Sequence, residues 1–322
     1  MNALDLRRAD YGIWGAIIVV GGIVLILAWL NSFAIVLPTF SVPALFILGL
    51  ALTTLFYKTW RPDEGIADAL TGTSQVVAFA SVGAPLSYIA ASANYPLWDA
   101  QFNTLDLALG LNWKAWLAFM NDFPNLHVVF ALAYASFAAQ TTVVAMVLGV
   151  GGHRRHLRIF VMTFMLTTLV VIGVSAVMPA QGTWGYLHLS LSDCPSIVPM
   201  TRDTPLAVFF GLRDGSYRQL VGTGSEGVIS FPSLHAALGL LFIFALWPVK
   251  YIRWVALVVN LLLIFATPVE GSHYFTDVFA GLAIVALSWL VVSWTLAGHG
   301  TSSRDAGWTS AAQAVGGSSL DM

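Results

Sequence analysis

Charge is what this chain has least of. Only 9% of its 322 residues are Asp, Glu, Lys or Arg, where soluble domains carry about 25%. With 58% hydrophobic residues and a mean hydropathy of +0.80, that scarcity excludes an ordinary soluble domain and leaves a polytopic membrane protein. The net charge of −2 supplies no basic field for nucleic acid. Cysteine is nearly absent too. Cys194 alone excludes an intrachain disulfide and a cysteine-rich metal site, and it reads as an unpaired structural residue. The first apolar run lacks a small-residue cleavage site and others follow it, so it is expected to be a retained helix. No repeat of fixed period is present.

What is there is a series of long apolar runs. A membrane span needs roughly 20 mainly apolar residues, and eight stretches qualify: about 13–31, 40–57, 74–93, 127–150, 158–178, 232–249, 252–268 and 273–297. The expected fold is therefore all-α, with about eight transmembrane helices. Residues 94–126 mix Trp98, Trp113 and Trp116 with Asp99, Asp106, Lys114 and Asp122, a pattern of amphipathic helices at a membrane interface. Residues 179–231 are rich in Gly, Pro, Ser and Asp. The stretch after 298 is rich in Gly, Ser and Ala and is expected to be a flexible tail. The organisation read from the chain is two N-terminal helices over 1–70, a six-helix membrane core over 71–297 and a cytoplasmic tail over 298–322.

Lysine and arginine set the orientation. With the N-terminus inside, ten of the fourteen fall in inside segments, including the cluster Arg154, Arg155 and Arg158. Lys114, Arg202, Arg213 and Arg218 fall outside. His235 and His273 then begin two spans that both run from outside to inside, so both imidazoles start at the outer surface.

Those histidines stand in the two most informative segments, Phe231-Pro232-Ser233-Leu234-His235 and His273-Tyr274-Phe275-Thr276-Asp277. Ionisable groups at the edge of a membrane helix are costly and mark function. His273 and Asp277 are four apart, one turn along a single helix face. A carboxylate there fixes the imidazole tautomer and frees the other nitrogen as a nucleophile. Asp277 is the only acid inside a predicted span. Taken alone, the pair also fits a buried polar contact between helices, and two imidazoles with one acid are a thin metal ligand set. Pro232 suits the first helical turn, and Ser230 or Ser233 can cap free amides. A helix N-terminus favours phosphate, which makes Ser233 a candidate phosphate contact and His235 a candidate general acid. Phosphoryl transfer needs cations. Arg213 and Arg218, flanking Asp214-Gly215-Ser216, are the first candidates for that grip, with Arg202 behind them. Glu226 and Glu270 read as capping or supporting acids, and Tyr274 and the tryptophans as interfacial anchors.

Pro232-Ser233-Leu234-His235 with His273-x-x-x-Asp277 resembles the second and third signatures of the type 2 phosphatidic acid phosphatase superfamily. The longer stretches, Phe231 to Ala236 and Gly271 to Asp277, are similar to its inositolphosphotransferase branch, which includes fungal inositol phosphorylceramide synthase. The resemblance covers about 70–297. It implies a six-helix membrane core, catalysis without metal or other cofactor, His273 as the nucleophile that becomes phosphohistidine, Asp277 as its orienting partner and His235 as acid and base. The general superfamily has Ser-Arg seven and six positions before the second histidine; here those positions are Ala266 and Thr267. Its first signature, a lysine followed by Arg-Pro, has no match before Met178-Pro179, and Leu234 replaces the usual glycine. All three departures are typical of the branch.

The expected partners are membrane lipids and a phospholipid or polyprenyl phosphate substrate, with water or a lipid alcohol as acceptor. A bacterial inner membrane with an outward-facing site is the expected location. A transporter or flippase is the rival reading, because eight spans fit one. Transporters, however, place polar residues near the midplane of repeated halves, and here they gather at one surface.

Overall fold

A computed structural model describes residues 3–315. The chain forms α1 (Ala3–Leu30), α2 (Leu37–Thr59), α3 (Glu64–Ala91), α4 (Asp99–Ala108), α5 (Trp113–Asp122), α6 (Pro124–Ala135), α7 (Phe137–Val150), α8 (Arg154–Val177), α9 (Thr183–Tyr186), α10 (Asp203–Asp214), α11 (Leu234–Leu246), α12 (Ile252–Glu270) and α13 (Phe275–Val315). The only strands among the described residues are β1 (Ala34–Ile35) and β2 (Gln219–Leu220), which pair in parallel. The protein is an all-α polytopic membrane protein. Six helices (α1, α2, α3, α8, α12 and α13) are long and apolar enough to cross a membrane.

The eight predicted spans resolve differently at two places. The run 127–150 is broken at Ser136 into α6 and α7, which meet at a 52° bend and together count as a seventh span. Ser136 turns its hydroxyl back onto the Ala133 carbonyl at 2.6 Å, a side-chain insertion of the kind that kinks helices. The run 232–249 yields only the 13 residues of α11. At 1.5 Å per residue that is about 20 Å, short of the roughly 30 Å hydrocarbon core. Trp247, the C-cap, keeps helical dihedrals, and Pro248 after it has no N–H with which to continue the helix.

α11 is the hub. It packs against α7, α8, α12 and α13, while α3 packs on α7 and α8, and α12 on α6. The central apolar cluster includes Phe79, Leu148, Phe160, Leu241 and Phe242. α1 lies on α3 and α8, and α2 lies on α3. The expected boundary at 70/71 falls inside α3, whose N-cap is Asp63, accepting from Ile66 N at 2.9 Å. α13 continues past 298, and the end of the expected tail, 316–322, lies outside the described residues.

α1 and α3 also begin earlier than predicted, which brings Asp10 and Asp68 into helices. Asp277 is therefore not the only acid there. Arg158 on α8, 3% exposed, binds both: its Nε and Nη2 donate to Asp10 at 3.0 and 2.7 Å, and Nη2 to Asp68 at 2.7 Å. The pairing offsets the desolvation that would otherwise forbid a buried guanidinium.

Candidate active site

His235 stands in the first turn of α11, and Ser233 is the N-cap residue. The Ser233 hydroxyl accepts from Ala236 N at 3.3 Å and is fully buried. Its N–H donates to the Asp277 carbonyl at 3.0 Å. α11 and α13 thus meet backbone to backbone at their N-terminal ends. Gly281 permits that approach: a Cβ there would stand 2.3 Å from the Ser233 carbonyl oxygen.

The two imidazoles converge. Their ring centroids are 6.5 Å apart. Reacting atoms in a productive arrangement sit roughly 3–3.5 Å apart, so two such contacts in series span a gap of this order. The His235 ring lies between Tyr134, stacked at 4.5 Å, and Phe137, at 4.2 Å. Those aromatics stand on either side of the Ser136 break, so the bend between α6 and α7 brings both onto one ring.

His273 is 3% exposed and Asp277 is fully buried. His273 Nδ1 meets Asp277 Oδ2 at 3.2 Å, and the same oxygen accepts from Ser230 Oγ at 2.9 Å and Tyr274 N at 3.0 Å. This carboxylate holds Nδ1 and leaves Nε2 as the free edge of the ring. Trp113 Nε1 donates to the His273 carbonyl at 3.1 Å. Trp113 is therefore buried against the site rather than anchored at an interface.

Two acids that the sequence reading placed on a surface helix, Asp99 and Asp106 on α4, clamp this segment. Asp106 Oδ2 accepts from Phe275 N at 2.8 Å. Its Oδ1 accepts from Thr276 N at 2.9 Å and Thr276 Oγ1 at 2.6 Å. It satisfies amides that the start of α13 leaves free. Asp99 accepts from the Tyr274 hydroxyl at 2.9 Å and from Gln181 N and Gly182 N at 3.1 Å each. Burial pushes the Asp99 carboxyl above its ordinary range, and those donors pull it back. Burial and then the Asp99 charge push the Tyr274 hydroxyl upward, so it remains a donor. Tyr274 is fully buried, a structural strut instead of the expected interfacial anchor. Gly182, with φ of +87°, lets the loop close in, since a Cβ would come within 2.6 Å of the Ser272 carbonyl oxygen.

A small cleft opens beside the pair, lined by Gln181, Thr201, Arg202, Ser230, Gly271 and Ser272 among others. Arg213 and Arg218 do not line it. Arg213 Nη2 donates to the Tyr95 carbonyl at 2.7 Å and the guanidinium lies over Phe209. Arg218 Nη1 donates to the Leu212 carbonyl at 2.6 Å and the group lies over Phe33. Arg213 thus holds the backbone ahead of α4, with its Nη1 left unpartnered, and Arg218 holds a carbonyl near the end of α10. Glu270, fully buried, accepts from Met200 N at 3.1 Å and stands 2.8 Å from His127 Nε2. It tethers the loop that carries Arg202 to the end of α12. Glu226 donates its N–H to the Tyr88 hydroxyl at 2.7 Å. Among the described residues, no group of three or more His, Cys, Asp or Glu could hold a metal ion.

The fold and the site define a helical integral membrane protein with two histidines and a supporting carboxylate gathered at one end of the bundle. Residues 100–291 match the PAP2 superfamily, and the chain belongs to it. That superfamily comprises phosphatases and phosphotransferases, so membership supports phosphatase-type lipid phosphoryl transfer. The match covers α5 to α12, most of α4 and the α13 segment carrying Asp277. No curated protein and no solved structure matches the chain.

Proposed function

We propose that the protein is a metal-independent lipid phosphoryl-transfer enzyme in which His273 is the nucleophile. The observation that carries this reading is the 6.5 Å approach of the His235 and His273 rings, with Asp277 behind His273. Nε2 of His273 attacks phosphorus and a phosphohistidine forms. His235 donates a proton to the departing alkoxide, so the leaving group goes as a neutral alcohol. In the second half, His235 takes a proton from the acceptor hydroxyl as its oxygen displaces His273 from phosphorus. Water as acceptor makes a phosphatase and a lipid alcohol makes a phosphotransferase, the pattern of the inositolphosphotransferase branch. In that pattern the acceptor can also attack directly, with no covalent intermediate.

Arg202 is assigned the phosphate grip, in preference to Arg213 and Arg218. It lines the cleft next to Ser230 and Ser272, whereas the other two are bonded to carbonyls elsewhere. Ser233 contributes as the cap that aims the free amides of α11. The substrate is a phospholipid or polyprenyl phosphate, drawn from the outer leaflet of a bacterial inner membrane.

The test is product analysis by lipid mass spectrometry on purified protein given a panel of phospholipids and polyprenyl phosphates, with and without labelled inositol. A headgroup or phosphate transfer lost in His273→Ala is expected. Full activity in that variant, or no phosphorus-containing product from any lipid, would remove the mechanism.

A further inference from the structure

A second polar site lies at the opposite end of the bundle. An open cavity of about 570 Å³ is bordered by the start of α1, the end of α2, the α2–α3 turn and the starts of α3 and α8. Its place along the fold is fixed by α3. Asp68 lines the cavity, while Tyr88, 20 residues further on, binds the loop that leads to His235. At 1.5 Å per residue the two ends are about 30 Å apart, a bilayer core's thickness.

The cavity holds four cations and four acids, but they are not equally free. Asp10 and Asp68 are taken by Arg158, and Asp68 also accepts from Arg154 Nε at 2.7 Å. Glu64 pairs with Arg154, and Asp63 caps α3. Every carboxylate is engaged. Arg7 and Lys58, by contrast, line the cavity with no hydrogen bond or ion pair among the described residues, and buried Arg158 keeps an Nη1 with no partner there. What the cavity has left to offer is donors and positive charge. Its volume is in the range of small-ligand sites, roughly 300–1,000 Å³. Tyr11, Trp14 and Tyr57 supply an apolar and aromatic wall.

We infer that this cavity binds a phosphate oxyanion at the face of the membrane opposite the histidines, with Arg7 and Lys58 as its free contacts. The oxyanion arrives on the headgroup of an anionic phospholipid or as a free phosphate. The site makes no use of His235, His273 or Asp277, so it stands apart from the transfer reaction.

The experiment compares wild type, Arg7→Ala/Lys58→Ala and, as a control for loss of surface charge, Arg61→Ala/Lys250→Ala, whose residues are exposed and lie outside the cavity. Binding is read by native mass spectrometry and thermal shift in nanodiscs of phosphatidylcholine, with added phosphatidylglycerol in one arm and inorganic phosphate in the other. The first double variant is expected to weaken anion binding by roughly tenfold or more, with the control close to wild type. His273→Ala is expected to bind as wild type does, which separates this site from failure of the catalytic reading. Retention of phosphatidylglycerol identifies the headgroup as ligand, and a shift with inorganic phosphate alone identifies the free anion. Equal binding in all three proteins, or equal loss in both double variants, overturns the site.

Discussion

Asp106 and Thr276, 170 positions apart, meet at the start of α13, where one carboxylate oxygen accepts both the Thr276 amide and its hydroxyl. The capping group for the helix that carries Asp277 therefore comes from a different helix altogether. Replacing Asp106 by Ala should cost about 0.5–2 kcal/mol, the usual worth of a cap, and lower kcat by loosening the turn between His273 and Asp277. Asp106→Asn, which keeps acceptor oxygen on one side, should recover part of both. Thermal denaturation beside turnover checks this, and an Ala variant with unchanged melting would remove Asp106 from its capping role.

The proposed roles of the two histidines separate by leaving group. His235→Ala should lower kcat by about 10²–10⁴ on a lipid ester, and by far less on a nitrophenyl ester whose departing oxygen needs no proton. His273→Ala should lose both substrates equally. Equal losses in the two variants across both esters would deny His235 its role as acid.

Arg202→Ala should raise KM, since a hydrogen bond to a charged group is worth about 1.5–3 kcal/mol. Arg213→Ala and Arg218→Ala should leave KM near wild type and act on loop stability instead. Steady-state kinetics on the three single variants decides. A raised KM only in the latter two would return the grip to them.

Gly281→Ala inserts a methyl group where the Ser233 carbonyl stands 2.3 Å away. Overpacking costs typically about 1–3 kcal/mol, and here the strain falls on the contact that spaces the histidines. Activity should fall sharply. Gly173→Ala, in α8 with nothing within 4 Å, should be silent or slightly stabilising. Paired assays of the two variants supply the comparison, and a fully active Gly281→Ala would show that α11 and α13 can separate without harm.

Chelation should leave turnover unchanged. His273 Nδ1 is already held by Asp277, and the reaction as proposed routes no step through a metal. Loss of activity in EDTA, restored by a divalent cation, would contradict it.

The contacts among the candidate residues were legible where their signals are local. His273 and Asp277, four apart, do meet, but across the turn before α13, which begins at Phe275, and not on one helix face; Ser233 caps α11 within three residues. Asp99 and Asp106 were not legible in the same way. On a short helix they resemble solvated acids, and their partners lie 82 to 175 positions away, many of them backbone amides that no sequence pattern announces. Tyr274 and Trp113 misled for a related reason: an aromatic near a span end is commonly an anchor, and only the arrival of Asp99, or of the His273 carbonyl, reveals a strut. Span lengths failed where hydropathy stayed high but backbone geometry changed, at Pro248 and at Ser136. Arg213 and Arg218 were singled out by their place in the chain, yet their carbonyl partners depend on how the segment folds.

The short parallel ladder of Ala34 and Ile35 with Gln219 and Leu220, with Gly222 N donating to Thr39 Oγ1 at 2.8 Å, has an evolutionary implication. The amino-terminal hairpin is stitched to the very strap that delivers Phe231 to the start of α11, so it cannot drift as a detachable anchor. Grafting a foreign hairpin onto the matched region would unpick that seam, and compensating changes should cluster around 218–222.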